Sequence, residues 1–339
     1  MTRVHQVLSG AGPVDAVTAQ AFEYRRLFTE WGIDGGVYAA AIEPAVRGQV
    51  EPVKRLEPAA DDVLLFHYSA YAPKLEPLLE LPQRKLLVYH NVTPAEWLWE
   101  HQPHVATLCA LGRDHLPRWA QAVDIAAAVS EYNAAELREA GASDVRVIPI
   151  LLRRANARAD AHPRSRILVV GRLAPHKRPE RVLAVFELYR RVHDERGSLA
   201  MVGEPLSPAY EREVQELAGP GVTITGRIGQ DELDKLWGEA GVLVVLSEHE
   251  GFCVPILEAF QADVPVIARR VGGMPEVGGD AVLWVEADDD DAVVAELIHL
   301  ALSDDGLRAE LIERGRRRAE GFAPEKVAEN LREAIQTLK

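Results

Sequence analysis

The chain repeats one local pattern throughout: short apolar runs rich in β-branched residues alternate with longer stretches of helical periodicity. This alternation predicts an α/β protein, in which parallel strands are joined by crossover helices. Many of the runs show little polar alternation, as expected of strands that are covered on both faces. The predicted strands are residues 4–8, 36–42, 63–68, 85–90, 125–129, 145–150, 167–170, 199–202, 222–225, 242–246, 264–268 and 282–285.

One polar segment, residues 153–166, interrupts this pattern. Because it is rich in charge and contains Pro163, it is predicted to be a linker. A chain of 339 residues suits two domains of about 150 residues each. Ligands of doubly wound sheets bind outside the carboxyl ends of the strands, so two such domains joined by a linker predict a central cleft. The predicted parts are an N-terminal domain (1–152), a linker (153–165), a C-terminal domain (166–321) and a terminal helical segment (322–339).

The composition narrows the classes of partner. Lys and Arg total 38 against 52 Asp and Glu, a net charge of −14, and so acidic a surface argues against nucleic acid. The two cysteines, Cys109 and Cys253, have no metal-ligand spacing and predict reduced thiols. No apolar run approaches the roughly 20 residues of a membrane span, and the chain starts without a signal-peptide core. We expect a cytoplasmic protein without integral membrane contact; its oligomeric state stays open.

A helix start flanked by two carboxylates follows the predicted strand 242–246, in the stretch that runs from Glu250 to Glu258. Pro255 suits the first position of a helix, because no N–H is needed there. The N–H groups of Cys253 and Val254 would then lie at a positive helix terminus, where phosphate binds. Carboxylates suit hydroxyls better than phosphates, and a nucleotide sugar carries hydroxyls on both its hexose and its ribose. Taken singly, Glu250 is also interpretable as a solvated charge in a loop, and Glu258 as a carboxylate that complements the helix dipole in a first helical turn.

Two cations, Arg172 and Lys177, follow the first strand of the predicted C-terminal domain. They fall in a loop between a strand and a helix at the carboxyl edge of the sheet, where they are able to neutralise a diphosphate. The alternative is a basic surface loop. Because this domain is otherwise rich in acid, the diphosphate interpretation is favoured for the pair.

Two further strand ends of this domain carry glycine. Gly203 ends one strand, and Gly226 ends the next and is followed by Arg227 and Ile228. Loops at these positions are able to hold a nucleobase through backbone groups, or they are plain turns.

In the N-terminal domain, histidines end two neighbouring predicted strands. His67 ends one, while His90 ends the other and is followed by Asn91. A lone strand-end histidine is more often structural, but two at adjacent carboxyl edges favour a functional role, most of all for His90. Gly12 lies in the first strand-to-helix loop, another place for a ligand contact.

As a set, these residues resemble the donor domain of the family 4 retaining glycosyltransferases of GT-B fold. The resemblance extends over residues 165–321, and it is carried by Gly171-Arg-Leu with Lys177, Gly226-Arg-Ile, and Glu250-Gly-Phe with Glu258. It implies two Rossmann-like domains that face a central cleft. It also implies transfer of a hexosyl group from UDP-hexose or GDP-mannose to a hydroxyl of a glycan, lipid-linked or small-molecule acceptor. Configuration would be retained, and no metal or other cofactor would be required.

The resemblance also implies a role for individual residues. Arg172 and Lys177 would bind the donor diphosphate, and Glu258 the ribose hydroxyls. Glu250 would bind the hexose near its O3 and O4, and His90 would lie close to the transferred sugar. The other predicted contacts are the backbone of Gly251, Phe252 and Cys253 beside the hexose, the amide of Val254 at a phosphate oxygen, Gly203, Arg227 and Ile228 at the donor, and Gly12, His67 and Asn91 on the acceptor side. The terminal helix would return to the N-terminal domain.

Four alternatives remain open from the sequence. Glu250 and Glu258 are also the kind of carboxylate pair that a glycoside hydrolase uses, although a hydrolase has no need for Arg172 and Lys177. A nucleotide-sugar epimerase, a phosphorylase and a non-catalytic nucleotide-sugar-binding protein would share the fold.

Two further features of the sequence bear on membranes and metals. Weak peripheral membrane association is compatible with a lipid-linked acceptor. The acidic run 288–291 is interpreted as helix capping rather than as a metal site.

Overall fold

The computed structural model describes residues 2–13, 15–153 and 165–339, so the predicted linker lies almost wholly outside the described residues. Contacts within the chain group it into two units. The first unit comprises Met1–Glu96, His104–Leu151 and Pro324–Lys339, and the second comprises Trp97–Pro103 and Leu152–Ala323. Trp97–Pro103 falls inside the predicted N-terminal domain but groups with the second unit.

The first unit is built on a parallel sheet with the strand order β3-β2-β1-β4-β5-β6-β7. Every residue of the central strands β1 and β4 is buried, including the polar side chains of His5, Gln6 and His67. The strands are β1 (Val4–Leu8), β2 (Val37–Ala39), β3 (Glu51–Pro52), β4 (Val63–Tyr68), β5 (Arg84–Tyr89), β6 (Ile125–Ala128) and β7 (Val145–Val147).

The second unit is built on a parallel sheet with the strand order β10-β9-β8-β11-β12-β13. Its strand order reverses between β8 and β11, so the connections that leave these two strands diverge at the carboxyl edge and leave room for a ligand. The strands are β8 (Arg166–Val170), β9 (Leu199–Val202), β10 (Val222–Gly226), β11 (Ala240–Val245), β12 (Val266–Arg269) and β13 (Val282–Val285).

Helices connect the strands of both sheets, and polar side chains cap several of them. Asp15 accepts hydrogen bonds from the amides of Val17 and Thr18 at the start of the first helix. The helices are α1 (Ala16–Glu30), α2 (Pro103–Ala122), α3 (Glu131–Glu139), α4 (Pro179–Val192), α5 (Pro208–Leu217), α6 (Gln230–Glu239), α7 (Val254–Gln261), α8 (Met274–Gly278), α9 (Asp291–Ser303), α10 (Asp305–Glu320) and α11 (Pro324–Thr337). Short 3-10 helices lie at Pro44–Val46, Val53–Arg55, Glu76–Glu80, Ala95–Trp97 and Pro175–Lys177. Within the described ranges, no helix is both long and apolar enough to cross a membrane.

The α/β prediction is confirmed, and each predicted strand coincides with an observed one. Two ends were overestimated, since the predicted strands 36–42 and 145–150 pair only over Val37–Ala39 and Val145–Val147. The acidic run 288–291 caps a helix as predicted: Asp290 accepts a hydrogen bond of 3.0 Å from the amide of Val293. Asp291, the next residue, forms an ion pair of 2.9 Å with Arg181.

Candidate functional site

A pocket of about 360 Å³, which includes space open to solvent, lies at the carboxyl ends of β8 and β11. Gly171, Arg172 and Lys177 line it from the connection after β8, and Ser247 and Glu250 line it from the connection after β11. The two connections are joined by a hydrogen bond of 2.7 Å from the amide of Glu248 to the carbonyl of His176. The fold therefore brings the predicted residues Arg172, Lys177 and Glu250 into one pocket at the switch point of the sheet.

Lys177 and Glu250 form an ion pair in the lining of this pocket, with Nζ 2.5 Å from Oε1. The hydroxyl of Ser247 donates to the same carboxylate oxygen at 2.8 Å. Burial acts to lower the pKa of Lys177, but the adjacent Glu250 carboxylate outweighs it and holds that pKa above the usual value. Lys177 is therefore a cation at neutral pH, and it is paired with a carboxylate that is only 8% exposed.

Glycine fixes the backbone of Glu250 from the connection after β12. A Cβ atom at Gly272, whose φ is +58°, would lie 2.2 Å from the carbonyl oxygen of Glu250. That same oxygen accepts a hydrogen bond of 2.9 Å from the amide of Gly273. A side chain at position 272 would displace Glu250, so this close approach requires glycine.

The start of α7 differs from the prediction by one residue. The helix begins at Val254, and Pro255 follows inside the first turn, because Cys253 takes the capping position with φ 76° and ψ 73°. Such a left-handed conformation is uncommon for a residue with a side chain. Pro255 has no N–H, and the amide of Ile256 donates to the carbonyl of Cys253 at 3.2 Å. The phosphate contact expected of the Val254 amide stays a prediction.

Phe252 and Cys253 point their side chains into the protein. Phe252 packs edge-on against Phe322, with ring centroids 5.8 Å apart. Burial, followed by the charge of Glu250, raises the pKa of the Cys253 thiol well above its usual value, so the thiol stays neutral. Only backbone groups of these two residues remain for the contacts predicted from the sequence.

Glu258 lies in α7 beyond the residues that line the pocket, and its side chain is half-buried. Burial, with a smaller contribution from the charge of Asp234 on α6, raises the pKa of Glu258 to about 7. Near neutral pH this carboxyl group is therefore divided between its protonated and ionised forms. Perturbed carboxyl groups are candidates for ligand binding, and the predicted contact of Glu258 with the ribose stays a prediction.

The strand ends at Gly171, Gly203 and Gly226 are packed backbone against backbone. Gly203 donates a hydrogen bond of 3.0 Å to the carbonyl of Gly226, and a Cβ atom on Gly203 would lie 1.9 Å from the carbonyl oxygen of Gly171. Glycine at 203 is thus required by packing, whatever else this loop does. Arg227 is exposed and Ile228 is half-buried just beyond β10, and their predicted donor contacts stay predictions.

Two residues at or beside this pocket were not predicted. His176, next to the lining residue Lys177, is 9% exposed, and its Nδ1 has no hydrogen-bond partner in the part of the chain that the structure describes. Burial, followed by the charge of Lys177, lowers the pKa of His176 to about 2. Ser247 directly follows the apolar run of β11 in the sequence, a signal that could have found it. His176 gave no such signal, because a histidine between two cations reads as part of a basic loop.

In the first unit, the structure brings the predicted histidines into contact. His67 Nδ1 lies 2.9 Å from His90 Nε2, and His67 Nε2 lies 2.9 Å from Gln6 Oε1. Burial lowers the pKa of His67 well below its usual value, and it lowers the pKa of His90 to about 4. Gln6 was not predicted, although a glutamine inside an otherwise buried strand is a polar group that requires a partner.

The other residues predicted on the acceptor side already use polar groups within the first unit. Asn91 has a φ of 75°, and its side-chain amide donates to Asn133 Oδ1 at 2.8 Å. The amide of Gly12 donates to Thr18 Oγ1 at 3.1 Å, and a Cβ atom on Gly12 would meet the Glu43 carboxylate. Because both groups are buried and paired, ligand contacts from Asn91 and Gly12 stay predictions.

Comparisons with known proteins find similarity that centres on the second unit. Residues 155–318, just under half of the chain, match the model of Glycosyl transferases group 1. This region of the chain is similar to the group 1 glycosyltransferases. Over 162 residues, 46% of the chain, it is 31% identical to the O-antigen chain mannosyltransferase B of Escherichia coli. Over 178 residues, 49% of the chain, it is 30% identical to a D-inositol 3-phosphate glycosyltransferase of Salinispora arenicola. These alignments cover 42% and 40% of the two relatives.

Solved structures resemble the chain over nearly its whole length. Anabaena HepE, in a complex with UDP and glucose, aligns with a TM-score of 0.74 and 15% identity over 99% of this chain and 100% of that one. The sucrose-phosphate synthase of Thermosynechococcus elongatus aligns with a TM-score of 0.73 and 19% identity over 100% and 99%. At such identities the likeness concerns the fold, which is the predicted GT-B architecture of two Rossmann-like domains. The region similar to the group 1 glycosyltransferases lies in the second unit.

Proposed function

We propose that this protein is a glycosyltransferase that moves a hexosyl group from a nucleotide-diphosphate sugar to a hydroxyl of an acceptor. The observation that carries the proposal is the cluster of Arg172, Lys177 and Glu250 in the switch-point pocket of a region similar to the group 1 glycosyltransferases. A related protein is named a mannosyltransferase, and a structural neighbour holds UDP and glucose. UDP-hexose and GDP-mannose are therefore the donors to test.

The charges of the pocket suit a diphosphate leaving group. Arg172 is exposed, Lys177 is cationic, and the first turn of α7 adds the positive end of a helix. Preorganised donors of this kind stabilise the charge that develops on the departing phosphate oxygen. We propose that Arg172 and Lys177 neutralise the diphosphate while Val254 binds a phosphate oxygen through its amide.

The ion pair with Glu250 is compatible with phosphate binding by Lys177. An ammonium group has three N–H donors, and one of them is directed at Glu250 Oε1. The carboxylate thus orients Lys177 and keeps it charged, which leaves donors for a phosphate. Glu250 also lies in the pocket itself, where we propose that it binds hexose hydroxyls, with the backbone of Gly251 beside it.

In the proposed reaction, the bond between the anomeric carbon and the diphosphate breaks as the acceptor oxygen forms its bond to that carbon. The acceptor approaches from the face that the diphosphate leaves, so the configuration is retained. The leaving phosphate oxygen takes the proton of the acceptor hydroxyl, and a protein base is not required. Glu250 adds negative potential near the cationic sugar, and His90 accepts a hydrogen bond from a sugar hydroxyl.

We expect one nucleotide sugar to raise the melting temperature of the protein and to act as donor with retention. A thermal-shift panel of UDP-hexoses and GDP-mannose selects the donor, and octyl α-mannoside, octyl β-glucoside and inositol phosphate serve as first acceptors. The one-bond coupling between C1 and H1 in the NMR spectrum of the product reports its configuration for both glucosyl and mannosyl products. An inverted product contradicts the retaining mechanism.

Other products of the same incubations distinguish the alternatives. Return of a labelled donor as its epimer indicates an epimerase, and a requirement for inorganic phosphate indicates a phosphorylase. Nucleotide release at a rate that no acceptor changes indicates hydrolysis. Donor binding without turnover in single-turnover assays indicates a binding protein. Each of these results contradicts the proposed transfer.

We also expect transfer to be independent of a divalent metal, because the diphosphate is neutralised by Arg172, Lys177 and the terminus of α7. Initial rates with excess EDTA and with added Mg²⁺ should agree within about twofold. Loss of activity in EDTA that Mg²⁺ or Mn²⁺ restores would show that these cations do not suffice.

A further inference from the structure

Three polar side chains on adjacent strands of the first unit form a hydrogen-bonded chain. Gln6 lies on β1, His67 is the penultimate residue of β4, and His90 directly follows β5, and these three strands are neighbours in the sheet. Gln6 is 0% exposed and His67 is 2% exposed, whereas His90 is half-buried. This series of hydrogen bonds therefore runs from the interior of the unit to its surface.

The direction of these hydrogen bonds follows from a backbone carbonyl at the buried end. The carbonyl of Ala21 only accepts hydrogen bonds, so the group of Gln6 that lies 2.9 Å from it is the Nε2 amide. Oε1 of Gln6 then faces His67 Nε2, which must carry a proton in order to donate. The opposite orientation of the amide would set two acceptors against each other at Ala21.

The protonation of His67 in turn determines the direction of its hydrogen bond with His90. Burial lowers the pKa of His67 well below its usual value, so the ring is neutral and carries one proton. With that proton on Nε2, its Nδ1 is an acceptor, and the atom 2.9 Å away, His90 Nε2, must donate. When His90 is neutral, its unprotonated Nδ1 carries a lone pair that is able to accept a hydrogen bond. Within the described residues, no hydrogen bond to that atom is found.

We propose that Gln6 and His67 are positioning residues that fix neutral His90 as its Nε2–H tautomer, so that its Nδ1 accepts a hydrogen bond from a ligand hydroxyl. That this hydroxyl belongs to a sugar substrate rests on the proposed function. The tautomer itself does not depend on it, since it follows from Ala21, Gln6 and His67 alone. Which ring nitrogen of a neutral histidine carries the proton is set by the hydrogen bonds of the ring, and here Gln6 and His67 supply the one that decides it for His90.

The tautomers are measured directly by long-range proton–nitrogen correlation in protein labelled with ¹⁵N-histidine, in the absence of ligand at pH 7. We expect both His67 and His90 to show the Nε2–H pattern. Gln6→Met removes the acceptor for His67 at similar side-chain length, and we expect the nitrogen signals of His90 to move toward a mixture of tautomers. Gln20→Met is the matched control, because Gln20 is 2% exposed in the same unit and accepts instead from the amide of Leu151.

A wild-type His90 that carries its proton on Nδ1 would overturn the proposal, and this spectrum decides the question even if Gln6→Met does not fold. An unchanged His90 tautomer in folded Gln6→Met would overturn it as well. For transfer, we expect kcat/KM of Gln6→Met to fall in proportion to the fraction of His90 that leaves the Nε2–H form, about twofold at equal populations. A tautomer that changes without any change in kcat/KM would contradict the role of His90 in transfer and leave the positioning intact.

Discussion

Lys177→Met is expected to lower kcat/KM for transfer from the nucleotide sugar by about 10²–10³-fold. The loss follows from the position of Lys177 in the switch-point pocket, where its ammonium group is held by Glu250 and kept charged. Methionine preserves the length of the side chain but offers the departing diphosphate neither charge nor donors. Steady-state kinetics with the best donor of the thermal-shift panel measure the effect. Lys326→Met, at an exposed lysine of α11, is the control and should retain full activity.

The same substitution should lower the free energy of unfolding, because it leaves the buried carboxylate of Glu250 without its cation. We expect a loss of about 1–3 kcal/mol, with Ser247 Oγ remaining as a partner. The double variant Lys177→Met/Glu250→Gln removes the uncompensated charge, so it should recover most of the stability but none of the activity. If activity returned together with stability, Lys177 would act through folding alone and its assignment to the diphosphate would be wrong.

Much of this architecture was readable from local sequence, because local interactions create it. The helix α4 begins at Pro179, as the proline predicted. The buried strands lie where the apolar runs predicted them. The carboxyl edge of the second sheet was also predictable as a site, since connections from neighbouring parallel strands must leave from the same edge. Arg172 and Glu250, which follow neighbouring strands of this sheet, were therefore predictable as site residues.

The contacts that define the chemistry were less accessible, because packing over long sequence separations creates them. Lys177 and Glu250 are 73 positions apart, and the sequence assigned them to different parts of the donor rather than to each other. The chain from Gln6 to His67 spans 61 positions and depends on the register of two adjacent strands. Similarly, Gly272 is visible in the sequence as a glycine, but only the fold reveals that it must admit the carbonyl of Glu250.

Affinity for the intact nucleotide sugar is expected to rise by about tenfold between pH 6 and pH 8, because Glu258 must ionise to accept hydroxyl hydrogen bonds. Burial, followed by Asp234, raises the pKa of Glu258 to about 7 in the free protein, so binding below that pH requires release of a proton. Isothermal titration calorimetry at pH 6, 7 and 8 measures the dependence. Glu258→Gln keeps an acceptor without the ionisation and should flatten the profile. Asp234→Asn should move it to lower pH.

The free energy of unfolding of the ligand-free protein supplies an independent test, because the contribution of Glu258 to it should fall as the pH rises, whereas the affinity for the donor should increase. The folded-state pKa of Glu258 lies above the usual value of 4.5, so protonation of this carboxyl favours the folded state. Its contribution to the free energy of unfolding is therefore present below pH 4.5, falls as the pH rises toward 7 and is constant above that. Urea titrations of wild type and Glu258→Gln at pH 5 and pH 8 isolate this contribution by difference. Binding that weakens as the pH rises, or a slope that persists in Glu258→Gln, would assign the ionisation to another group and remove Glu258 from the donor site.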